Sequence, residues 1–170
     1  FHSIVPGSLM EFYDSIGVQR DVASRPDTTH YGLRALTSVK YLFDNDHDEN
    51  YFAGEDYASP EMPGWMYYGN ANGFDIWENE NYIPMGFTYD HYVTEETYDA
   101  TPEDRRDLLM LKGIVLTEQQ IEEWGDMLTE LPADEVSYTT AAYEADCADR
   151  AALTCDTFQY TSCLLYTSPS

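Results

Sequence analysis

The stretch Trp65-Met66-Tyr67-Tyr68-Gly69-Asn70-Ala71-Asn72-Gly73-Phe74-Asp75-Ile76-Trp77 decides the fold class. An aromatic run, Trp65 to Tyr68, gives way to Gly, Asn and Ala and resumes at Phe74 to Trp77. Glycine and asparagine accept the positive φ that a chain reversal demands, so the spacing predicts a β-hairpin with strands over 65–68 and 74–77 and a turn over 69–73. Upstream, Val39-Lys40-Tyr41-Leu42-Phe43 is a second strand-like run, entered from a short helix over Thr28 to Leu36 that follows the break Arg25-Pro26-Asp27. Earlier still, Ser8-Leu9-Met10-Glu11 reads as a capping box opening a helix that carries Phe12, Tyr13 and Ile16 and stops at Gly17.

Downstream, Phe87 to Val93 is a further strand candidate. Thr101-Pro102-Glu103-Asp104 opens a helix with Leu108, Leu109 and Leu111 that ends at Lys112-Gly113. Thr117-Glu118-Gln119-Gln120 opens another, with the apolar stripe Ile121, Trp124, Leu128 and Leu131 before Pro132. A last helix spans about Tyr138 to Leu153 and leads to a strand over Thr157 to Tyr160. Helices and strands intermix without a regular βαβ rhythm, which points to the α+β class: a small mixed or antiparallel sheet with flanking helices. Residues 1–162 are expected to form a single α+β domain, truncated at both ends.

The 170 residues carry 32 acidic against 8 basic side chains, a net charge of -24, yet 43% are apolar and 15% aromatic. That apolar content is too high for a disordered acidic tail, so the chain is expected to fold. Its charge repels phosphate backbones and anionic headgroups, which excludes nucleic acid as a partner class. No run approaches the roughly 18 apolar residues of a membrane span, and no signal peptide opens the chain, so the piece is expected to be soluble. The end, Cys163-Leu164-Leu165-Tyr166-Thr167-Ser168-Pro169-Ser170, resembles the translation of a transposon-type sequencing adaptor; residues 163–170 are read as foreign to the protein. Of the remaining cysteines, Cys147 and Cys155 on one helix would stand about 12 Å apart, too far for a disulfide, and are expected to be free thiols.

Few motifs carry chemistry on their own. Asp44, Asp46, Asp48, Asn50 and Glu55 fall at calcium-loop positions one, three, five, seven and twelve, but Glu49 holds position six, where the sharp turn wants glycine. The segment is therefore read as a solvated acidic loop rather than a metal site. The histidines, His2, His30, His47 and His91, stand in no paired motif, and the chain has no phosphate loop or nucleophile elbow. Trp65, Tyr67, Trp77, Tyr89 and Tyr92 read either as a stacking platform for sugars or as one aromatic core face.

Three ordered blocks, Gly32 to Phe43, Ile76 to Asp90 and Arg105 to Leu116, with Val39-Lys40-Tyr41-Leu42-Phe43, Asn81-Tyr82-Ile83-Pro84-Met85-Gly86-Phe87 and Lys112-Gly113-Ile114-Val115-Leu116 as their most telling parts, resemble the YfhO family of bacterial multi-pass membrane proteins. The resemblance implies a polytopic glycosyltransferase moving sugar from undecaprenyl-phosphate sugar to lipoteichoic or related cell-wall polymer. This segment would lie on the extracytoplasmic face of a bacterial membrane, beside the membrane part of the same polypeptide. It implies no catalytic residue, cofactor or metal ligand here, and leaves any divalent cation to the whole enzyme. Arg34 and Lys40, the basic residues near the helix-strand junction, are candidates for a phosphate contact or for ordinary ion pairs. With Trp65, Trp77 and Tyr89 they make up the candidate substrate-binding set. Should the isolated chain transfer sugar, Asp75, Asp90 and His91 are where a base would be sought. The alternative is a non-catalytic extracellular glycan-binding or adhesion module.

Because Glu49 blocks the turn that brings position twelve back to the ion, calorimetric titration of the chain is expected to show no micromolar calcium binding. Micromolar binding abolished by Asp46→Ala would overturn this.

Overall fold

The computed structural model describes residues 7–18, 28–45 and 62–154. Its elements are α1 (Gly7–Ser15), α2 (Tyr31–Leu36), β1 (Tyr41–Asn45), β2 (Trp65–Ala71), β3 (Phe74–Asn79), β4 (His91–Thr94), α3 (Glu95–Ala100), α4 (Arg106–Lys112), β5 (Ile114–Leu116), α5 (Glu118–Trp124), β6 (Thr129–Glu130) and α6 (Thr140–Ala152). The chain is α+β, as its sequence pattern indicates, with two small sheets instead of one. The acidic loop beyond Asn45, Cys155, the strand expected over 157–160 and the tail 163–170 lie outside the described residues.

The hairpin forms, with a tighter turn than its glycine content suggests. Asn72 and Gly73 alone make the reversal, with φ of 54° and 77°, the pair of left-handed residues that matches the twist of flanking strands. Gly69, Asn70 and Ala71 continue β2, and the register slips between Tyr67 and Gly69, leaving Tyr68 as the extra residue of a β-bulge. On the other edge of β3, β1 pairs antiparallel from Tyr41 opposite Glu78 to Asn45 opposite Phe74. Thus β3 is the central strand, with Asp75, Trp77 and Asn79 turned inward and Phe74, Ile76 and Glu78 outward. Beneath the inner face Met62, Trp65 and Trp77 pack with Tyr31, Val39 and Leu42.

The second sheet is parallel, in the order β5-β4-β6. Parallel neighbours need a crossover, supplied between β4 and β5 by α3, a 3-10 turn at Glu103–Arg105 and α4, and between β5 and β6 by α5 and a turn at Gly125–Met127. Here the sequence pattern misleads in two places. The helix from Thr117 has both bonds of its capping box, yet it stops at Trp124, and Leu128 is already extended as the chain enters β6. The strand expected over 87–93 reduces to β4, with Phe87 making an isolated bridge to Thr154.

The helices close over a shared core. Ala35, Ile83, Leu108, Leu111, Tyr143 and Cys147 form one buried cluster, and Ile16, Val18 and Leu33 form another that receives α1 through Phe12 and Tyr13. Helix α1 already includes Ser8, so the Ser8 and Glu11 pair lies within the helix, and Gly17, at φ 75°, ends it. Helices α2 and α4 approach so closely that a methyl group on Gly32 would stand 2.8 Å from Leu108 Cδ2 and 3.2 Å from the Asp107 carbonyl carbon. At this contact Asp107 is fully buried, its Oδ2 accepting the Leu33 N–H at 3.0 Å and its Oδ1 the Leu108 N–H at 2.9 Å.

Asp107→Asn replaces an acceptor with an NH2 group that faces an N–H donor, and is expected to cost about 1–3 kcal/mol in urea unfolding. Gly32→Ala is expected to cost a similar ~1–3 kcal/mol through overpacking. A midpoint unchanged in both variants would contradict the tight α2–α4 joint.

Candidate functional site

The five substrate-binding candidates do not converge. Arg34, on α2, is 7% exposed and donates from Nη1 to the His30 carbonyl at 3.0 Å. Lys40 precedes β1 at the surface, with Nζ 3.6 Å from Glu78 Oε1 and 5.4 and 5.7 Å from the ring centroids of Tyr41 and Tyr82. Trp65 and Trp77, at 2% and 1% exposure, are core residues whose ring faces are covered. Tyr89 belongs elsewhere: its hydroxyl donates to the Met110 carbonyl at 2.7 Å, and the Arg150 guanidinium lies 5.1 Å from its ring centroid. Burial of the ring and loss of solvent around the phenol push the Tyr89 hydroxyl up to about 12.

Among the described residues, the exposed rings other than Tyr67 and, on α5, Trp124 lie on the outer side of the first sheet. Tyr41 and Phe43 of β1, Met66 and Tyr68 of β2 and Phe74 of β3 are all exposed. Tyr68 projects outward at the bulge, and its ring meets that of Tyr41 edge-on at 5.7 Å, so residues of the two flanking strands touch across the central one. The Tyr41 hydroxyl donates to Glu78 Oε1 at 3.3 Å, and a groove of about 440 Å³ beside it is lined by Lys40, Glu78, Asn79, Glu80 and Tyr82. On this face Glu78 is offset by Lys40.

A second concavity, about 190 Å³, lies between β4, α4 and α6. The Arg150 side chain, 4% exposed, donates from Nη2 to Asp90 Oδ1 at 2.5 Å and from Nη1 to the Thr88 carbonyl at 2.9 Å. The same Asp90 oxygen lies 3.0 Å from His91 Nδ1. Hydrogen bonds from Arg150 and His91 hold the Asp90 carboxyl well below the usual carboxylate range. Beside them Lys112 Nζ pairs with Asp146 Oδ2, whose carboxyl burial pushes up. The carboxylate orients the imidazole through Nδ1, the relative placement of a base and its orienting acid. Both cations of the cleft are engaged by carboxylates, so they tie α4, α6 and β4 together instead of facing an anionic group. The sequence supplies no signal for this pairing, since Asp90 and Arg150 are 60 positions apart.

Asp75, the other acid considered as a base, is buried beneath the first sheet, its Oδ1 accepting from Asn70 Nδ2 at 2.9 Å and Tyr67 Oη at 3.3 Å. Of the acidic loop, only Asp44 and Asn45 are described, and both belong to β1. Among the described residues no group of three or more His, Cys, Asp or Glu side chains is placed to hold a metal ion, and no helix is long and apolar enough to cross a membrane.

The folded value of Asp90 lies below its unfolded one, so the pair contributes stability above the ordinary carboxylate range and loses it as the pH falls toward the lowered value. Because Asp90 is half exposed, solvent screens the pair, and Asp90→Asn is expected to cost only about 1 kcal/mol at neutral pH. The difference in thermal unfolding between the two proteins should be constant above about pH 4 and shrink progressively as the pH falls below it. A difference that stays constant on further acidification would assign the effect to packing.

Searches against protein-family models, curated proteins and solved structures find no match to the chain.

Proposed function

We propose that the chain is the extracytoplasmic part of a polytopic membrane glycosyltransferase of the YfhO type, which moves sugar from undecaprenyl-phosphate sugar to lipoteichoic or related cell-wall polymer. One observation carries this reading: a single buried cluster takes Ala35 from the first resembling block, Ile83 from the second and Leu108 and Leu111 from the third. Three blocks in that order are what one domain requires if each supplies a wall of its core. Asn79 and Asn81, in the second block, are structural as well: Asn79 Nδ2 donates to the Val39 carbonyl at 3.1 Å and its Oδ1 accepts the Asn81 N–H at 3.0 Å, shaping the turn that sends Ile83 inward.

Sugar transfer from a lipid phosphate needs a base for the acceptor hydroxyl, cations for the departing phosphate and a surface that positions the acceptor. The domain presents the third of these in its outer aromatic face. The cations of the cleft, Arg150 and Lys112, are already neutralised by Asp90 and Asp146, and the buried Arg34 is turned to the His30 carbonyl, so phosphate contacts fall to the membrane part of the polypeptide. The exposed rings also favour the second reading, an extracellular glycan-binding or adhesion module without catalysis.

Extending the gene by sequencing outward from this stretch in its source DNA separates the two. An unbroken frame with many membrane spans is expected; a secretion signal followed by repeated soluble modules would support the adhesion module instead. The isolated chain, incubated with undecaprenyl-phosphate sugar and glycerol-phosphate polymer, is expected to transfer no sugar above a heat-killed control. Transfer abolished by His91→Ala would show that the cleft is a complete catalytic centre and that the division of labour is wrong.

A further inference from the structure

We infer that the outer face of the β1-β3-β2 sheet is a docking surface for an uncharged glycan chain, with Tyr41 and Tyr68 as the stacking rings and Lys40, Glu78, Glu80 and Tyr82 as the edge that bonds its hydroxyls. It rests on the glycosyltransferase reading only for the role of that glycan as acceptor, and narrows that acceptor from the anionic lipoteichoic polymer to a related cell-wall glycan without charge. Aromatic rings bring an apolar face and, in tyrosine, a polar tip, which is the chemistry that covers the C–H face of a sugar while bonding its rim. Five apolar side chains stand out on one sheet face: Tyr41 at 39% exposure, Phe43 at 60%, Met66 at 54%, Tyr68 at 65% and Phe74 at 41%. The edge-on contact of Tyr41 with Tyr68 holds these two rings in place above β3, so little side-chain freedom remains to be lost on binding. Directly beside them the groove offers an ammonium group, two carboxylates and a phenol, donors and acceptors of both kinds.

Charge selects the occupant. On a chain of net charge -24 this edge holds Glu78 and Lys40 as a pair and Glu80 as one carboxylate more. An anionic membrane or a polyphosphate needs a surplus of cations, and the one ammonium here is already shared with Glu78. A second copy of the chain would have to meet this same face, bringing its carboxylates Glu78 and Glu80 against the identical pair over a single ammonium on each side. A neutral polyhydroxyl chain makes neither demand. It fits a narrow, ring-lined strip and binds weakly enough to slide.

The test is calorimetric titration of the chain with neutral linear hexasaccharides of glucose, galactose and N-acetylglucosamine, with polyglycerol phosphate and with phosphatidylglycerol vesicles as the other arms. At least one neutral hexasaccharide is expected to bind with a Kd below about 5 mM, the range of weak glycan recognition. Its affinity should not change with salt, since no charge is neutralised. Tyr41→Thr and Tyr68→Thr keep a β-favouring residue at exposed positions, and each is expected to weaken binding at least about three-fold. Trp124→Ala, an exposed aromatic on α5, should leave it unchanged. Amide shift mapping on the unaltered protein gives a second readout that needs no variant: perturbations should gather on β1, β2, β3 and Tyr82 and spare the His91 cleft.

The inference is overturned if no neutral hexasaccharide binds, if binding survives in a folded Tyr41→Thr/Tyr68→Thr variant, or if the shifts gather at the cleft. It is equally overturned if only vesicles, polyglycerol phosphate or self-association report on these tyrosines. Glycan binding together with a gene that lacks membrane spans would sink the glycosyltransferase reading alone; membrane spans without glycan binding would sink this one alone.

Discussion

The buried carboxylate of Asp107 is the joint on which the two halves of the molecule turn. It receives the N–H of Leu33, an orphan donor in the first turn of α2, and the N–H of Leu108 in its own helix, so one side chain caps α2 and locks it against α4. Helix α2 leads directly into β1 and the antiparallel sheet, and α4 leads directly into β5 and the parallel one. The orientation of either sheet is therefore set through this contact. Burial raises the carboxyl above its ordinary value, the unfavourable side of taking a charge out of water, and its backbone bonds act in the opposite sense. By linkage, this group favours the folded chain as the pH falls through that raised value, opposite in sign to Asp90.

Either side of that joint the same chemical problem is solved differently. In the antiparallel sheet β2 and β3 meet through a hairpin, β1 joins β3 from beyond β2 in the chain, and the central β3 satisfies both edges. In the parallel sheet each connection must travel across a helix, and the strands are only two to four residues long. What steadies so small a sheet is the packing behind it. Val93 and Leu116 are buried, and Gly113, just ahead of β5, passes so close to β4 that an added methyl would stand 3.1 Å from the His91 carbonyl oxygen. Arg150 then reaches from α6 to the strand's leading residues, Thr88 and Asp90, and closes the arrangement.

How much of this is legible in the sequence follows from the range of each signal. The hairpin, the Thr117 capping box and the helices over 106–112 and 140–152 are short-range features, and local chemistry declares them. The parallel sheet is not declared, because strands of two and three residues have no period to read. Tryptophans in a strand look like a sugar platform until burial is known. Alternation shows that Trp77 and Ile76 face opposite ways but not which way is in, and the bulge at Tyr68 breaks the phase of β2. The outward rings are thus Tyr41, Phe43 and Tyr68, neighbours of the residues that sequence reasoning chose. Asp90 and His91 were visible as possible bases, but the guanidinium that fixes Asp90 comes from another helix, and only the fold brings it there.

The distribution of charge gives the functional argument its direction. With 32 acidic residues and 8 basic ones, the two cations of the cleft are matched by carboxylates, Arg150 by Asp90 and Lys112 by Asp146. A buried guanidinium held by a carboxylate has little field left to offer a departing phosphate, because the opposite charges cancel over the distance at which a ligand would sit. The surface compounds this: a net charge of -24 raises the potential energy of any anion that approaches, at least within the roughly 8 Å over which physiological salt lets it act. The positions left for recognition are those where charge counts least, and in the described residues the broadest of these is the ringed outer face with its Lys40–Glu78 pair. On the proposed reading, a domain built this way would select ligands by shape and hydroxyl pattern, and the stabilisation of phosphate charge would be supplied from outside it.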